Sequence, residues 1–535
     1  MRPESQLQTP STTPRSAHLH LIRPGLLLAG LLLILLALGV GHIQAQDDAT
    51  KTPTQPGSVL TWVADGEQAG QQRADAPGSL VWMMADGIES TLLDLPQRTA
   101  RVVPCGDQAT APDGDAFAFF VGSENTGDLH LMRDGDRVTV AEGINAMACV
   151  GLGTFQFSPD GARLGYLDYS SDYRDRLSPT GRLIIHPGDG DDALASFENA
   201  SAFFLADDEL YFTAFFTGNR DQAVEVAINV WDGEQVTEIA TIFADEAEND
   251  CFYNSASLAP LDEDRIAALL GYRCNRGPVR ETQWQLYLVN RQNRSATLAA
   301  DGTTIGRFFP FTRTNAVFST PETGTLYFTV PDGLNNRSVS VKALDLATQT
   351  VSDVIDQYAL MVGLSNLPYQ PDAHAPLRTP DGRWLALVTS DPNGDAALNL
   401  IDMAAPDLPP ITLSAGARGD TISEMVFSAD GSTLYYVAGG TDGSDNSLFA
   451  LDLASATVTR LTRGSFGQGV LSPDSGTLAL IDWQRFADDQ PPLQRVIGYD
   501  ISAGSSSVWV EGGAVVNAQL SEPRFAYLLA WLTTP

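Results

Sequence analysis

One short turn, Ser-Pro-Asp-Gly with its near-copies, constrains this chain more than any other feature. It stands as FSPDG at 157–161, TPDG at 379–382, FSADG at 427–431 and LSPDS at 471–475. Each copy runs straight into strand-forming residues, as in FSPDGARLGYLDY. In such a turn proline presets φ, aspartate bonds its own backbone, and glycine takes the positive φ that closes a hairpin. The motif therefore joins two antiparallel strands. After the first copy a third strand is expected at GRLIIHPGD (181–189) and a short fourth at ALASF (193–197).

The same unit reads along the chain. It covers 109–143, begins again at 203 with a second half at 226–242, and at 257 with a second half at 284–302. Further units begin at 317, 377, 426 and 470, with second halves at 338–354, 397–414, 447–462 and 495–510. Four strands repeated at this spacing are the signature of a β-propeller. The last stretch, 518–532, is expected to supply the first two strands of a unit, and 78–95 the last two. Joining them in one composite sheet would tie the ends of the repeat and remove the open edges that invite aggregation. A literal count gives eight complete units and one split unit. The units at 203 and 257 carry the weakest pattern, so the expectation is an all-β propeller of about eight four-stranded blades, within seven to nine. One N-terminal hydrophobic helix precedes it.

Composition agrees with a turn-rich β protein. Of 66 acidic residues 48 are aspartate, and aspartate favours turns where glutamate favours helices. The formal net charge is −34, with Lys51 and Lys342 as the lysines. That balance excludes nucleic acid as a partner, which needs cations along its phosphates, and disfavours an anionic membrane surface.

The domain reading is a cytoplasmic segment over 1–23, a signal peptide or signal-anchor helix over 24–43, a flexible linker over 44–77 and the propeller over 78–535. Arg2, Arg15 and Arg23 precede the uncharged stretch 24–41, whose 18 residues span about 27 Å as a helix. Ile43 and Ala45 would suit cleavage near Ala45. With or without cleavage, the positive residues stay inside and the rest is exported. Four cysteines in an exported chain suggest disulfides, with three pairings open. Cys251 and Cys274 lie equally far on either side of the hairpin turn at Asp262 and Glu263, which would set them face to face on neighbouring strands. Cys105 and Cys149 fall before equivalent turns in consecutive units, where adjacent innermost strands would bring them together.

The segments FSPDGARLGYLDY, RTPDGRWLALV, FSADGSTLYYVAGG and LSPDSGTLALIDW resemble the repeats of TolB-like β-propellers, as do LFALDLASATVTRLT and LYLVNRQNRSATLAADG. The resemblance covers most of 78–532. It implies an extracytoplasmic propeller used as a protein-interaction platform, although no α/β domain is recognisable ahead of the repeats.

The sequence holds no GxSxG elbow, no GxxxxGK loop and no HExxH motif. His130 and His186 fall on third strands, away from a central channel, and His374 precedes an innermost strand. The acidic loops 186–192, 390–397 and 439–447 could hold Ca²⁺ but read first as hairpin turns. Trp231, Trp284, Trp384, Trp483 and Trp509 read as packing residues, with Trp483 and Arg485 placed to contact a partner. No catalytic, cofactor-binding or metal residue is assigned. The expectation is a monomeric, membrane-tethered propeller that binds a protein or glycan partner in the cell envelope. The alternative is a propeller enzyme of lyase, glycosidase or lactonase type, with an acidic or Ca²⁺-dependent site at the channel mouth.

Overall fold

In the computed structural model the described residues are 58–532 apart from 66–77, 85–86, 96–100, 106–108, 124–125, 134–135, 151–153, 170–179, 218–222, 245–250, 275–280, 306–316, 321–323, 332–337, 360–376, 391–395, 415–419, 441–445, 485–492 and 511–523. They fall within the unit Gln55–Pro535. The apolar stretch 24–41 and His374 lie outside them. Among the described residues no helix is long and apolar enough to cross a membrane.

The chain enters through β1 (Ser58–Asp65), β2 (Gly78–Met84) and β3 (Gly87–Leu95). A meander follows in β4 (Arg101–Pro104), β5 (Ala116–Gly122), β6 (Thr126–Arg133) and β7 (Asp136–Asn145). A single helical turn, α1 (Met147–Val150), leads to β8 (Phe155–Phe157), β9 (Arg163–Tyr169), β10 (Gly181–Pro187) and β11 (Ala195–Leu205). Next come β12 (Leu210–Thr217), β13 (Ala223–Trp231) and β14 (Val236–Phe243). They are followed by β15 (Cys251–Pro260), β16 (Arg265–Cys274), β17 (Glu281–Asn290) and β18 (Ser295–Ile305). Four more meanders run in order. The first is β19 (Val317–Thr320), β20 (Thr325–Pro331), β21 (Ser338–Asp345) and β22 (Thr350–Ala359). The second is β23 (Leu377–Arg378), β24 (Trp384–Ser390), β25 (Ala396–Asp402) and β26 (Ile411–Ser414). The third is β27 (Asp420–Phe427), β28 (Thr433–Gly440), β29 (Ser447–Asp452) and β30 (Thr457–Arg463). The fourth is β31 (Phe466–Leu471), β32 (Thr477–Gln484), β33 (Leu493–Asp500) and β34 (Ser505–Val510), before the final strand β35 (Arg524–Leu532).

All these strands pair antiparallel, in six sheets of four and one of eleven. The large sheet forms because β11 serves twice. Its first half pairs with β10 and its second half, from Ala200 to Leu205, with β12. The short fourth strand expected at 193–197 is thus the start of a longer strand that continues into the next unit. The units beginning at 203 and 257, the weakest in the sequence, are both built of strands. β13 and β15 then meet where Ala223 faces Tyr253.

The ends of the repeat meet in one sheet of order β3-β2-β1-β35. The expected division of that sheet is corrected. The C-terminal stretch supplies one strand, and the second comes from β1, inside the segment 44–77 expected to be a linker. Ser-Val-Leu-Thr-Trp-Val is strand-forming, with Val59 and Thr61 buried on one face, but the polar stretches on both sides hide it. The register runs from Ser58 opposite Leu532 to Asp65 opposite Arg524.

The core lies between sheets. Second strands are buried on both faces and alternate between two neighbours. In β16, Ile266, Ala268, Leu270 and Tyr272 pack against the preceding unit, while Ala267 and Leu269 pack against Leu326 and Phe328 of the following one. In β24, Trp384, Ala386 and Val388 join the following cluster, and Leu385 and Leu387 the preceding one. Val59, Val81 and Met83 pack with Ala479, Ile481 and Val496, and on the other side Leu80 and Trp82 join the cluster of Phe117 and Phe119. The first sheet is therefore covered by the last on one face and by the second on the other. A series of antiparallel sheets that closes on itself in this way is the architecture of a β-propeller. Each sheet lacks the means to bury its own two apolar faces alone.

Candidate functional site

The recurring turn is built for folding. Ser158, Thr379, Ser428 and Ser472 donate their hydroxyls to Asp160, Asp381, Asp430 and Asp474 at 2.6, 2.6, 2.7 and 2.6 Å. The same hydroxyls accept the N–H groups of Arg163, Trp384, Thr433 and Thr477, each at 2.9 Å. Those hydroxyl bonds hold the four carboxyls below the usual range, Asp430 at about 2. In three copies glycine takes the left-handed position; in the fourth Ser475 does, at φ 57°. Its Oγ accepts the N–H of Ala429 at 2.9 Å and so ties neighbouring turns together. At the outer hairpins Asp232, Asp345, Asp452 and Asp500 each accept main-chain N–H groups. Much of the aspartate excess is therefore turn chemistry.

A second repeated device lies at the opposite ends of the second strands. In LDY and IDW, Asp168 and Asp482 stand directly across from Arg182 and Arg495 on the third strands. Asp168 accepts the N–H of Asn145 at 3.1 Å, and Asp482 that of Ser465 at 3.3 Å, so both carboxylates fix the chain entering their sheet. The two pairs then diverge. Arg495 Nε donates to Asp482 Oδ2 at 2.7 Å, and the Asp482 side chain is 7% exposed. Arg182 Nη2 reaches Asp168 Oδ2 only at 3.4 Å, and the Arg182 side chain is 49% exposed.

Both third strands face a β-bulge in the fourth, just beyond Arg495 in the last sheet and at Arg182 itself between β10 and β11. Gly181 faces Ala200 and Leu183 faces Phe197, so Arg182 stands opposite two residues, Glu198 and Asn199. This β-bulge carries Asn199 at φ 60°, an uncommon conformation for a non-glycine residue. Gly181 allows the close approach beside it: a Cβ there would lie 2.9 Å from the Asp168 carbonyl oxygen. The result is an open cleft of ≈ 370 Å³ lined by Asp168, Tyr169, Thr180, Gly181, Arg182, Glu198 and Asn199. Glu198 and Asn199 are exposed. The cleft has a strong donor in Arg182, a carboxylate acceptor in Glu198 and an amide that does both in Asn199. All three are carried on strands rather than loops.

The residues singled out in the sequence distribute otherwise. Cys105 and Cys149 form a disulfide, with Cys149 in α1 rather than on an innermost strand. Cys251 and Cys274 face each other in register across β15 and β16, and Cys251 is disulfide-bonded. His130 and His186 lie on third strands, β6 and β10. His130 is buried against Phe119, and burial followed by the charge of Arg137 lowers its pKa to about 4. His186 Nδ1 donates to the Asp191 carbonyl at 2.8 Å, and its ring stacks on Tyr166. Trp231, Trp284 and Trp384 are buried, and Trp509 meets Trp531 edge-on at 5.6 Å. The side chains of Trp483 and Arg485 lie outside the described residues, as do 391–395 and 441–445 of two acidic loops. In the third loop Asp189 accepts the N–H of Asp191. Among the described residues no group of three His, Cys, Asp or Glu is placed to hold a metal ion. Sequence reasoning missed Arg182, Glu198 and Asn199. The paired LDY and IDW segments point to the Asp–Arg device, but the bulge that opens it has no sequence mark.

No family model matches the chain, and no curated protein matches it in sequence. Among solved structures, a prolyl endopeptidase aligns with 75% of this chain and 55% of its own, at 10% identity and a TM-score of 0.40. Porphyromonas gingivalis dipeptidyl peptidase 4 aligns with 76% of this chain and 58% of its own, at 13% identity and 0.46. An oligogalacturonate lyase in complex with manganese aligns with 84% and 99%, at 11% identity and 0.38. The chain thus spans less than two thirds of either peptidase.

Proposed function

We propose that this chain is an exported, membrane-tethered β-propeller of the TolB-like kind that binds a polar ligand, without chemistry, in the cleft at Arg182. The proposed propeller has nine blades, one more than the eight expected. Six are the separate sheets, and three are fused into the eleven-stranded sheet, two through the double use of β11 and the third where Ala223 faces Tyr253. Export is supported by the apolar stretch behind three arginines and by the pairing of the cysteines, which suits an oxidising compartment.

The observation that carries the binding reading is the contrast between two equivalent ion pairs. Where Asp482 and Arg495 close on each other, Asp168 and Arg182 stand apart beside a bulge and leave an open cleft. Its volume lies at the small end of ligand pockets, about 300–1,000 Å³. Turn carboxylates elsewhere are occupied by backbone N–H groups and hydroxyls, whereas Glu198, Asn199 and the outer side of Arg182 face solvent. The test is thermal unfolding of the full chain against a library of soluble glycans and peptides. A ligand of the cleft raises Tm in the parent protein by mass action and leaves the Arg182→Ala variant unmoved. An equal rise in both, or conversion of the ligand to product, contradicts the reading.

A further inference from the structure

We infer that the cleft takes an uncharged, polyhydroxylated saccharide unit, gripping a vicinal diol between the Arg182 guanidinium and the neighbouring carboxylates. The inference rests on the binding reading above and names its ligand class.

Charge argues first. Among the described lining residues Asp168 and Glu198 outnumber Arg182, and the whole chain carries −34, so an anionic ligand meets repulsion at long range and from these two carboxylates. A cationic ligand is met by Arg182, whose one close partner, at 3.4 Å, leaves most of its five N–H donors directed elsewhere. Shape argues next. A peptide held along its backbone needs an unpaired strand edge. Here β10 is paired on both sides, by β9 and β11, so the strand that carries Arg182 offers none. An apolar side chain would find only Tyr169 among the described lining residues, and that ring is buried.

A sugar matches what remains. Each hydroxyl of a vicinal diol both donates and accepts. Adjacent hydroxyls can therefore accept from the planar guanidinium fork while donating to the Asp168 and Glu198 carboxylates. Asn199, held at φ 60° by the bulge, adds one donor and one acceptor for a third hydroxyl. The cleft suits a mono- or disaccharide-sized unit.

The test uses the full chain in a detergent without a sugar headgroup. Calorimetry and saturation-transfer NMR follow maltose, cellobiose and mannobiose as neutral probes, digalacturonate as the acidic one, a glucosamine dimer as the cationic one, and a polar tripeptide. Parallel Tm measurements verify that each variant is folded. At least one neutral disaccharide is expected to bind, with affinity unchanged between about 50 and 500 mM salt. Arg182→Ala and Glu198→Ala should each weaken it about tenfold or more. Glu198→Gln should weaken it less, because its amide oxygen still accepts. Tighter, salt-dependent binding of the acidic or cationic probe, or Arg182-dependent binding of the tripeptide alone, overturns the ligand class and leaves the cleft as a binding site. Saccharide binding indifferent to both Arg182 and Glu198, or no binding by any probe, overturns the cleft reading as well.

Discussion

At the residue scale, the outer hairpins repeat one backbone conformation with unequal side chains. Arg294, Gln349, Ala456 and Gly504 occupy the same place, one residue before the fourth strand, at φ 51°, 53°, 53° and 62°. Only glycine adopts that region without a Cβ penalty. Ala456→Gly should therefore stabilise the protein by about 0.5–1 kcal/mol, and Gly504→Ala should cost about 1 kcal/mol, both read from urea unfolding. The sequence shows the start of each turn, through Asn290, Asp345, Asp452 and Asp500, better than its strained position, because one copy in four carries the glycine. Arg182 illustrates the same limit. Its partner Asp168 is visible in a repeated LDY/IDW pattern, but its exposure depends on one extra residue in β11 that no residue type announces.

At the element scale, the Ser/Thr-x-Asp turn couples hairpin geometry to charge. Ser428 is buried and bonds both the Asp430 carboxylate and the Thr433 N–H, so Ser428→Ala should cost about 1–2 kcal/mol. The pH dependence follows from the lowered carboxyl. Asp430 titrates at about 2 in the fold and near 4 when unfolded, so the unfolded chain takes up the proton first as pH falls. The contribution of this turn is whole above pH ~4 and is lost between about 4 and 2. The urea midpoint gap between parent and Ser428→Ala should therefore be constant from about pH 7 to 5 and shrink below 4. A gap that widened with acid would contradict the turn's bonding. Among the elements, the hairpins were legible because Pro-Asp-Gly fixes their turns. β1 was not, since its eight residues sit between polar stretches and pair with a strand more than 450 residues away. Nor was the double role of β11, which is set by packing of two sheets rather than by local pattern.

At the scale of the whole molecule, the account depends on closure. Sheets buried on both faces need neighbours on both sides, and an open array would leave two apolar faces wet. Closure through β1 and β35 covers them, and the incomplete units at 78–95 and 518–532 foretold the arrangement while missing β1 as one of the closing strands. The most direct measurement is hydrogen exchange on the full chain, followed in peptides covering Ser58–Asp65 and Arg524–Leu532. The account predicts that both segments are protected to the same degree as β9 and β32, and that deleting β35 abolishes the protection of β1. Exchange of either segment at the rate of an unstructured chain, with the rest of the strands still protected, would contradict it.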